Sequence, residues 1–215
     1  MKDIAIYGFG GFGKEVACII ESINKLSKRW NLIGFFDDGI SVGTCNKYGK
    51  VLGGLDTLNS YSADLDIVMA IANSEILSKI VKSISNSQIA YPNIIAPSVA
   101  FYDRDTVKMG MGNIIVYGSR FSCDIEIGNF NIFNSSTYLG HDVHIGDFNI
   151  MQPETRLSGG VVVGNNNFFG VRSTVIQYKK IGNNTSIGAG SIVLKNTQNG
   201  FLYHGNPAKK IDGYN

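Results

Sequence analysis

The sequence predicts two unlike units, a small α/β unit with parallel strands followed by a three-sided parallel β-helix. Two observations support this prediction. The first 95 residues alternate short apolar runs with helical patterns, whereas a period of six residues governs the chain from Met109 to Asn196. A length of 215 residues suits one large domain or two small ones. We therefore expect an α/β unit over 1–95, a β-helix over 96–198 and a capping tail over 199–215.

The composition excludes several classes of protein. Only 17% of the residues are charged, 26 are glycine, and the formal net charge is +2, so neither a disordered chain nor a nucleic-acid-binding protein is indicated. No run of 18 apolar residues and no cleavable signal is present. The three scattered cysteines, Cys18, Cys45 and Cys123, argue against a disulfide framework. We expect a cytoplasmic protein that binds neither nucleic acid nor membrane.

The repeat is read by stepping six residues at a time from Met109. Every position reached is large and apolar, and the residue two positions earlier is usually small or β-branched. Glycine often follows the apolar residue. The apolar positions are Met109, Ile115, Phe121, Ile127, Phe133, Leu139, Ile145, Met151, Leu157, Val163, Phe169, Val175, Ile181, Ile187 and Val193.

This pattern predicts one short flat face and one corner per hexad. The apolar residue fills the narrow prism, the small residue fits the corner, and Gly or Asn is expected to accept positive φ at the turn. Three hexads make a coil of 18 residues, so about five coils stack at roughly 4.8 Å each. An α-helix is excluded because the period of 3.6 is absent and the glycines would destabilise it.

The first 95 residues predict strands over 3–7, 31–36, 66–71 and 88–91, with helices over 14–26 and 74–85. A glycine-rich loop joins the first strand to the first helix, and its glycines are Gly8, Gly10, Gly11 and Gly13. Backbone N–H groups at a helix N-terminus can hold a phosphate without any charged side chain. Asp37 and Asp38, after the second strand, could accept hydrogen bonds from a ribose or a base edge.

An ordinary structural role for the same loop stays open, because glycine turns and terminal carboxylates occur in many βαβ units. If a nucleotide binds, a mononucleotide fits better than a dinucleotide. The unit lacks the second βαβαβ half that a dinucleotide site uses.

Two of the three histidines, His141 and His144, lie in one hexad. Their neighbours occupy the inward positions, so both rings are expected to project outward. They could form a polar surface patch beside Asp142, or one neutral imidazole could act as a general base. A zinc site needs three or four ligands at suitable spacing, which this segment does not supply. We therefore expect no metal.

The tail from Phe201 to Ile211 leaves the hexad pattern. It could cap the last coil, as every solenoid requires. Pro207 and the lysine pair Lys209 and Lys210 could also meet an anionic ligand.

Four segments, together with the hexads, resemble a known family. They are YGFGGFGKE at 7–15, FFDD at 35–38, GHDVHIGD at 140–147 and GNPAKKI at 205–211. The chain is similar to sugar O- and N-acyltransferases with a left-handed β-helix. It resembles more narrowly the bacterial acetyltransferases that use acetyl-CoA on nucleotide-linked 4-amino sugars, and the related sialic acid O-acetyltransferases. The resemblance covers nearly the whole chain.

This resemblance implies a Rossmann-like first unit, a left-handed β-helix and a homotrimer with active sites at the subunit interfaces. His141 falls where the family places its catalytic base, and Asn134 matches an asparagine that contacts the substrate. Many relatives carry a carboxylate immediately before the histidine. Gly140 stands there in this chain, so Asp142 or another chain must supply any orienting carboxylate.

The remaining roles concern ligand binding. Ile150 and Phe12 stand where relatives carry further histidines, and His144 could compensate for these losses. The glycine loop with Asp37 and Asp38 matches the region that holds the nucleotide. Acetyl-CoA, as co-substrate, would contact residues around Gly159, Val171, Ala189, Pro207 and Lys209.

The function that follows is N-acetylation of a 4-amino group on a nucleotide-linked sugar, in bacterial surface-glycan biosynthesis, with His141 as general base. Three alternatives stay open at this point: a sialic-acid-type O-acetyltransferase, a non-catalytic nucleotide-binding trimeric scaffold, and a nicotinamide-dependent oxidoreductase. The oxidoreductase reading rests on the glycine loop alone and leaves the hexads unexplained.

Overall fold

A computed structural model describes residues 1–212. It divides the chain into two units, Met1–Pro97 and Ser98–Asn215, close to the expected boundary between 95 and 96. The last residues of the expected capping tail, 213–215, lie outside the described residues. No helix in the described part of the chain is long and apolar enough to cross a membrane.

The first unit is an α/β unit around one six-stranded sheet with strand order β3-β4-β2-β1-β5-β6. All neighbouring strands are parallel except the β3–β4 hairpin. The elements are β1 Lys2–Tyr7, α1 Gly11–Leu26, β2 Trp30–Phe36, β3 Cys45–Asn46, β4 Gly49–Gly53, α2 Leu55–Asn59, β5 Leu65–Met69, α3 Ser74–Ser83, β6 Ile89–Ala90 and β7 Ile94–Ile95.

The predicted strands and helices of this unit are confirmed, with shifted ends. Strand β1 is central because its apolar run is buried on both faces, as parallel sheets require. Helix α1 buries one apolar stripe that includes Val16, Ile19 and Ile20. It begins at Gly11 rather than the predicted Lys14, since the glycines obscure the start of the helical pattern. The hairpin β3–β4 and the short helix α2 were not predicted.

The second unit is a three-sided parallel β-helix built from very short strands, with a 3-10 helix at Arg104–Thr106. The strands are β8 Ala100–Phe101, β9 Val107–Met109, β10 Ile114–Ile115, β11 Arg120–Phe121, β12 Ile125–Ile127, β13 Ile132–Phe133, β14 Tyr138–Leu139, β15 His144–Ile145, β16 Ile150–Met151, β17 Arg156–Leu157, β18 Val162–Val163, β19 Phe168–Phe169, β20 Thr174–Val175, β21 Lys180–Ile181, β22 Ser186–Ile187, β23 Ile192–Val193, β24 Leu202–His204 and β25 Lys209–Ile211.

These strands form three faces. Face I contains β8, β11, β14, β17, β20 and β23, and face II contains β9, β12, β15, β18 and β21. Face III contains β10, β13, β16, β19, β22 and β24, and the tail strand β25 pairs antiparallel with β24. From β9 to β23, paired strands are 18 residues apart, as Arg120 and Tyr138 are; the separation is 20 between β8 and β11 and 16 between β22 and β24. We name each corner by the faces that it joins: corner I/II, corner II/III and corner III/I.

The hexad interpretation is confirmed by burial. The predicted inward residues from Ile115 to Val193 are at most 5% exposed, and only Met109, at the open end, is half-buried. The small residues two positions earlier, such as Ser119, Thr137 and Ser173, are fully buried.

The expected reason for the glycine after each inward residue is wrong. Positive φ occurs instead three positions after the inward residue, and most of these positions are not glycine. The glycine is required because successive coils approach closely: a Cβ on Gly128 would lie 2.7 Å from the carbonyl oxygen of Gly146. The non-glycine residues with positive φ are Asp124, Phe130, Ser136, Asp142, Phe148, Glu154, Asn166, Arg172, Tyr178 and Asn184.

A buried asparagine ladder runs through the prism and was not predicted. Asn113, Asn131, Asn149 and Asn167 are fully buried, one per coil. The Asn149 amide donates to Asn131 Oδ1 at 2.9 Å, and the Asn167 amide donates to Asn149 Oδ1 at 2.9 Å. Each amide therefore finds a partner in the next coil, which removes the cost of burying it.

Candidate active site

His141 lies on corner I/II, between β14 and β15. The inward residues on either side, Leu139 and Ile145, fix the direction of the chain, so the imidazole projects outward with 53% of its side chain exposed. The predicted outward direction of this histidine is confirmed.

Asp142 holds the imidazole. Its Oδ2 lies 2.6 Å from Nδ1 of His141, and its φ of 56° is one that aspartate tolerates better than most residues. A carboxylate at this position accepts the Nδ1 proton of a neutral imidazole and leaves Nε2 free to accept a proton. The pair therefore has the geometry of an oriented general base.

Nε2 of His141 lies over the backbone of the next coil. A Cβ on Gly159 would lie only 2.5 Å from Nε2, and a Cβ on Gly140 would lie 2.6 Å from the nitrogen of Gly159. Both positions therefore need glycine. In this chain Gly140 therefore brings no carboxylate beside the ring, and Asp142 is the carboxylate that contacts His141.

His144 does not join His141 but belongs to a column on face II. Its Nδ1 lies 3.2 Å from Glu126 Oε2, and Glu126 Oε1 lies 3.6 Å from Nζ of Lys108. The three residues are spaced by 18 and are in register. Sequence reasoning missed Glu126 and Lys108, although the spacing of 18 could have found them.

The other predicted residues of the β-helix lie on a different corner. Asn134, Val171 and Ala189 all follow strands of face III, so they lie on corner III/I. No hydrogen bond joins Asn134 to His141 within residues 1–212; the Asn134 Oδ1 accepts from the Ser135 N–H at 2.7 Å. Face I separates the two corners, so one chain does not bring its predicted site residues together.

The tail residues are exposed. Pro207 lies in the turn between β24 and β25, and Lys209 begins β25. His204, the third histidine, lies 3.4 Å from the hydroxyl oxygen of Ser191 and is part of the tail's packing against the last coil.

The glycine loop of the first unit has the conformation expected at a helix N-terminus. Gly8 has a φ of 113°, and Gly13 lies directly against its carbonyl group. Gly10 is the N-cap of α1 and provides no side-chain cap, and side chains added at Gly10 or Gly11 would meet open space. The first N–H groups of α1 are therefore accessible to a ligand.

Asp37 and Asp38 brace this loop. Asp37 accepts from the N–H of Phe9 and from the N–H of Gly39, both at 2.9 Å. Asp38 accepts from the Leu55 N–H at 2.8 Å and from the Tyr7 hydroxyl. Burial, together with Asp38, raises the pKa of Tyr7 well above its usual value, so this hydroxyl stays a donor. Both carboxylates are thus already engaged with protein donors.

A candidate metal site is not formed. Across residues 1–212, no group of three or more His, Cys, Asp or Glu side chains is arranged to hold a metal ion.

Comparison with protein-family models gives a match in the first unit. The model of the PglD N-terminal domain matches residues 3–84. No curated protein sequence matches the chain.

Solved structures match over nearly the full length. The acetyltransferase domain of PglB from Neisseria gonorrhoeae, in complex with acetyl coenzyme A, has a TM-score of 0.88 at 25% identity, covering 98% of this chain and 99% of that one. Perosamine N-acetyltransferase from Caulobacter crescentus, in complex with CoA and GDP-perosamine, has a TM-score of 0.85 at 26% identity, covering 98% and 97%. WeeI from Acinetobacter baumannii has a TM-score of 0.88 at 26% identity, covering 98% and 100%.

The resemblance predicted from the sequence is confirmed by these matches. The fold class is also confirmed: an α/β Rossmann-like unit followed by a left-handed parallel β-helix.

Proposed function

We propose that this protein is an acetyl-CoA-dependent acetyltransferase that N-acetylates the 4-amino group of a nucleotide-linked sugar in bacterial surface-glycan biosynthesis. The observation that carries the proposal is the outward His141–Asp142 pair, whose free Nε2 lies at the coil edge above Gly159. The matched structures were solved with acetyl-CoA, or with CoA and GDP-perosamine, on the same fold. They favour the N-acetyltransferase over the O-acetyltransferase alternative.

The chemistry needs no covalent enzyme intermediate. The sugar amine attacks the thioester carbonyl carbon, and Nε2 of His141 accepts the proton that the nitrogen loses. The tetrahedral intermediate then collapses, the C–S bond breaks, and the CoA thiolate takes the proton back from the imidazolium. Asp142 stabilises the imidazolium through Nδ1. Proximity of the two bound substrates supplies much of the remaining rate enhancement.

The first unit would hold the nucleotide. The accessible N–H groups at Gly10 and Gly11 suit a phosphate group. Asp37 and Asp38 contribute mainly by fixing the loop, since each carboxylate already accepts two protein hydrogen bonds. Their remaining lone pairs would accept hydrogen bonds from the ribose or the base.

A homotrimer completes the active site. If face I of each copy faces a threefold axis, corner I/II of one copy lies beside corner III/I of the next, at nearly the same height. His141 and Gly159 then meet the partner's Asn134, the partner's Val171 and the partner's Ala189, with acetyl-CoA between them. Large exposed apolar side chains at both corners support this contact; they are Tyr178 and Leu194 on corner I/II, and Tyr117 and Val171 on corner III/I.

The enzyme works in the cytoplasm. Cys18, Cys45 and Cys123 form no disulfide among the described residues, which suits a reducing compartment.

The test is product formation from UDP-, GDP- and dTDP-linked 4-amino sugars with acetyl-CoA, followed by mass spectrometry. One sugar should gain a single acetyl group on nitrogen, and H141A should lower kcat by about 10²- to 10⁴-fold with the trimer intact. H144A is the matched control, because His144 belongs to the face II column, and it should keep most of the activity. An unchanged rate in H141A would exclude His141 as the base, and acetylation of sialic acid alone would establish the O-acetyltransferase.

A further inference from the structure

Face I carries two arginines that form no close ion pair among the described residues. Arg120, Tyr138 and Arg156 project outward from three successive coils and are in register. Together with Ser136 and Thr137 they line one concavity of about 360 Å³. Over residues 1–212, neither Arg120 nor Arg156 forms an ion pair with a carboxylate.

Glu154 lines the same concavity, and its carboxylate is already hydrogen-bonded to Arg172. Glu154 accepts from Nε of Arg172 at 2.9 Å and from Nη2 of Arg172 at 3.3 Å. The hydrogen bond from Arg172, with the charge of Arg156 adding to it, lowers the pKa of Glu154. Glu154 therefore stays ionised and hydrogen-bonded to Arg172, and neither Arg120 nor Arg156 forms a close ion pair with it among the described residues.

Threefold symmetry would bring together the positive charges of Arg120 and Arg156 from three chains. This step rests on the proposed trimer, in which face I lies toward the axis. A rotation about an axis parallel to the prism adds no shift along it, so each residue recurs at one height in all three copies. The Arg120 side chains form one ring and the Arg156 side chains form another, each about 4.8 Å from the height of Tyr138. Like charges at such separations repel unless an anion lies among them.

We propose that these rings bind one oxyanion of the phosphate or sulfate class on the threefold axis, at the height of Tyr138. Guanidinium groups match the oxygens of such anions in paired hydrogen bonds. The Tyr138 hydroxyl donates a further hydrogen bond from each copy. The bound anion offsets part of the charge of the rings, reduces the repulsion between the arginines and thereby helps to hold the three chains together.

The number of anions bound per chain distinguishes a free oxyanion from the phosphate of a nucleotide substrate. A free oxyanion on the axis is shared by three chains, whereas the phosphate of a nucleotide substrate would bind once in each chain. Calorimetric titration of the full-length protein with inorganic phosphate, in a chloride buffer of constant ionic strength, should give one phosphate per three chains. Sedimentation measures the mass of the assembly in the same buffer.

Arginine variants test the proposal further, because their effect on the unfolding temperature should change sign between buffer without phosphate and buffer with phosphate. R156Q should weaken phosphate binding at least about tenfold, and R120Q should act in the same direction. Without phosphate, R156Q should unfold at a higher temperature than the parent, because repulsion within the ring is relieved. With saturating phosphate the order should reverse, since only the parent gains ligand stabilisation. R29Q removes an exposed arginine of the first unit and is the matched control.

Three results would overturn the proposal: one phosphate per chain, equal phosphate binding by R156Q and R29Q, or an assembly that is not a trimer. Acetyl transfer by the parent in phosphate-free buffer is measured separately. Transfer without any phosphate effect refutes the axial site alone. Phosphate binding at the expected stoichiometry without transfer refutes the proposed function alone.

Discussion

The imidazole of His141 lies directly against the backbone of Gly159 in the next coil, so closely that a Cβ on Gly159 would be 2.5 Å from Nε2. G159A should therefore push the ring away from its position beside Asp142 and lower kcat by about tenfold or more, because small displacements of a catalytic group are costly. Steady-state kinetics and the thermal unfolding midpoint give the measurement. Gln177 occupies the same column one coil further on, and Q177A should retain activity. Full activity in G159A would mean that Nε2 is not the reacting atom.

Asp142 should contribute through orientation of the imidazole. D142N keeps the size of the side chain but replaces the carboxylate that accepts the Nδ1 proton, so the other tautomer becomes favoured and Nε2 loses its free lone pair. We expect kcat to fall by about 10- to 100-fold while KM for acetyl-CoA changes little. E126Q, which alters the carboxylate beside His144 instead, is the control. Equal losses in D142N and E126Q would contradict a specific role for Asp142.

Tyr7 should make the protein less stable in alkali. Its pKa is raised in the folded state, mainly by burial and then by its bond to Asp38, so above pH 10 the unfolded chain loses a proton that the folded chain keeps. Folding stability therefore falls as the pH rises beyond that point. Y7F should show a shallower alkaline loss in urea unfolding measured between pH 8 and 11. The free energy of unfolding of Y7F should also be about 1 kcal/mol lower at neutral pH, because Asp38 loses the hydrogen bond from the Tyr7 hydroxyl. A slope identical to that of the parent would remove Tyr7 as the cause.

The asparagine ladder should stabilise the prism. N149A removes the Oδ1 that accepts from the buried side-chain amide and the backbone N–H of Asn167, at a cost of about 1–3 kcal/mol, whereas Asn131 Oδ1 keeps the backbone N–H of residue 149. Asn165 accepts a backbone hydrogen bond at an exposed corner, where water can replace it, so N165A should cost less. Urea unfolding measures the free energy of unfolding of both variants. Equal decreases in N149A and N165A would contradict a stabilising role for the asparagine ladder.

The hexad period predicted the direction of nearly every side chain in the β-helix, including that of His141, because an 18-residue coil leaves one inward position in six. It did not predict why Gly128 is glycine, since close approach of two coils is invisible in a single hexad. The family resemblance implied that Asn134 and Gly159 share one site, whereas face I separates them in a single chain. In the first unit, the hairpin β3–β4 was not predicted, because strands of two and five residues are too short to show an alternation of apolar and polar residues.

The pairing of residues 18 positions apart between β9 and β23 has a consequence for how this chain can change length. Loss or gain of a single amino acid inside the rod would turn every downstream side chain away from its place, apolar groups into solvent and polar ones into the interior. An insertion or deletion of a whole turn leaves those directions intact. Evolution or engineering can therefore extend or shorten the rod in units of one full turn beyond the His141 corner without disturbing it.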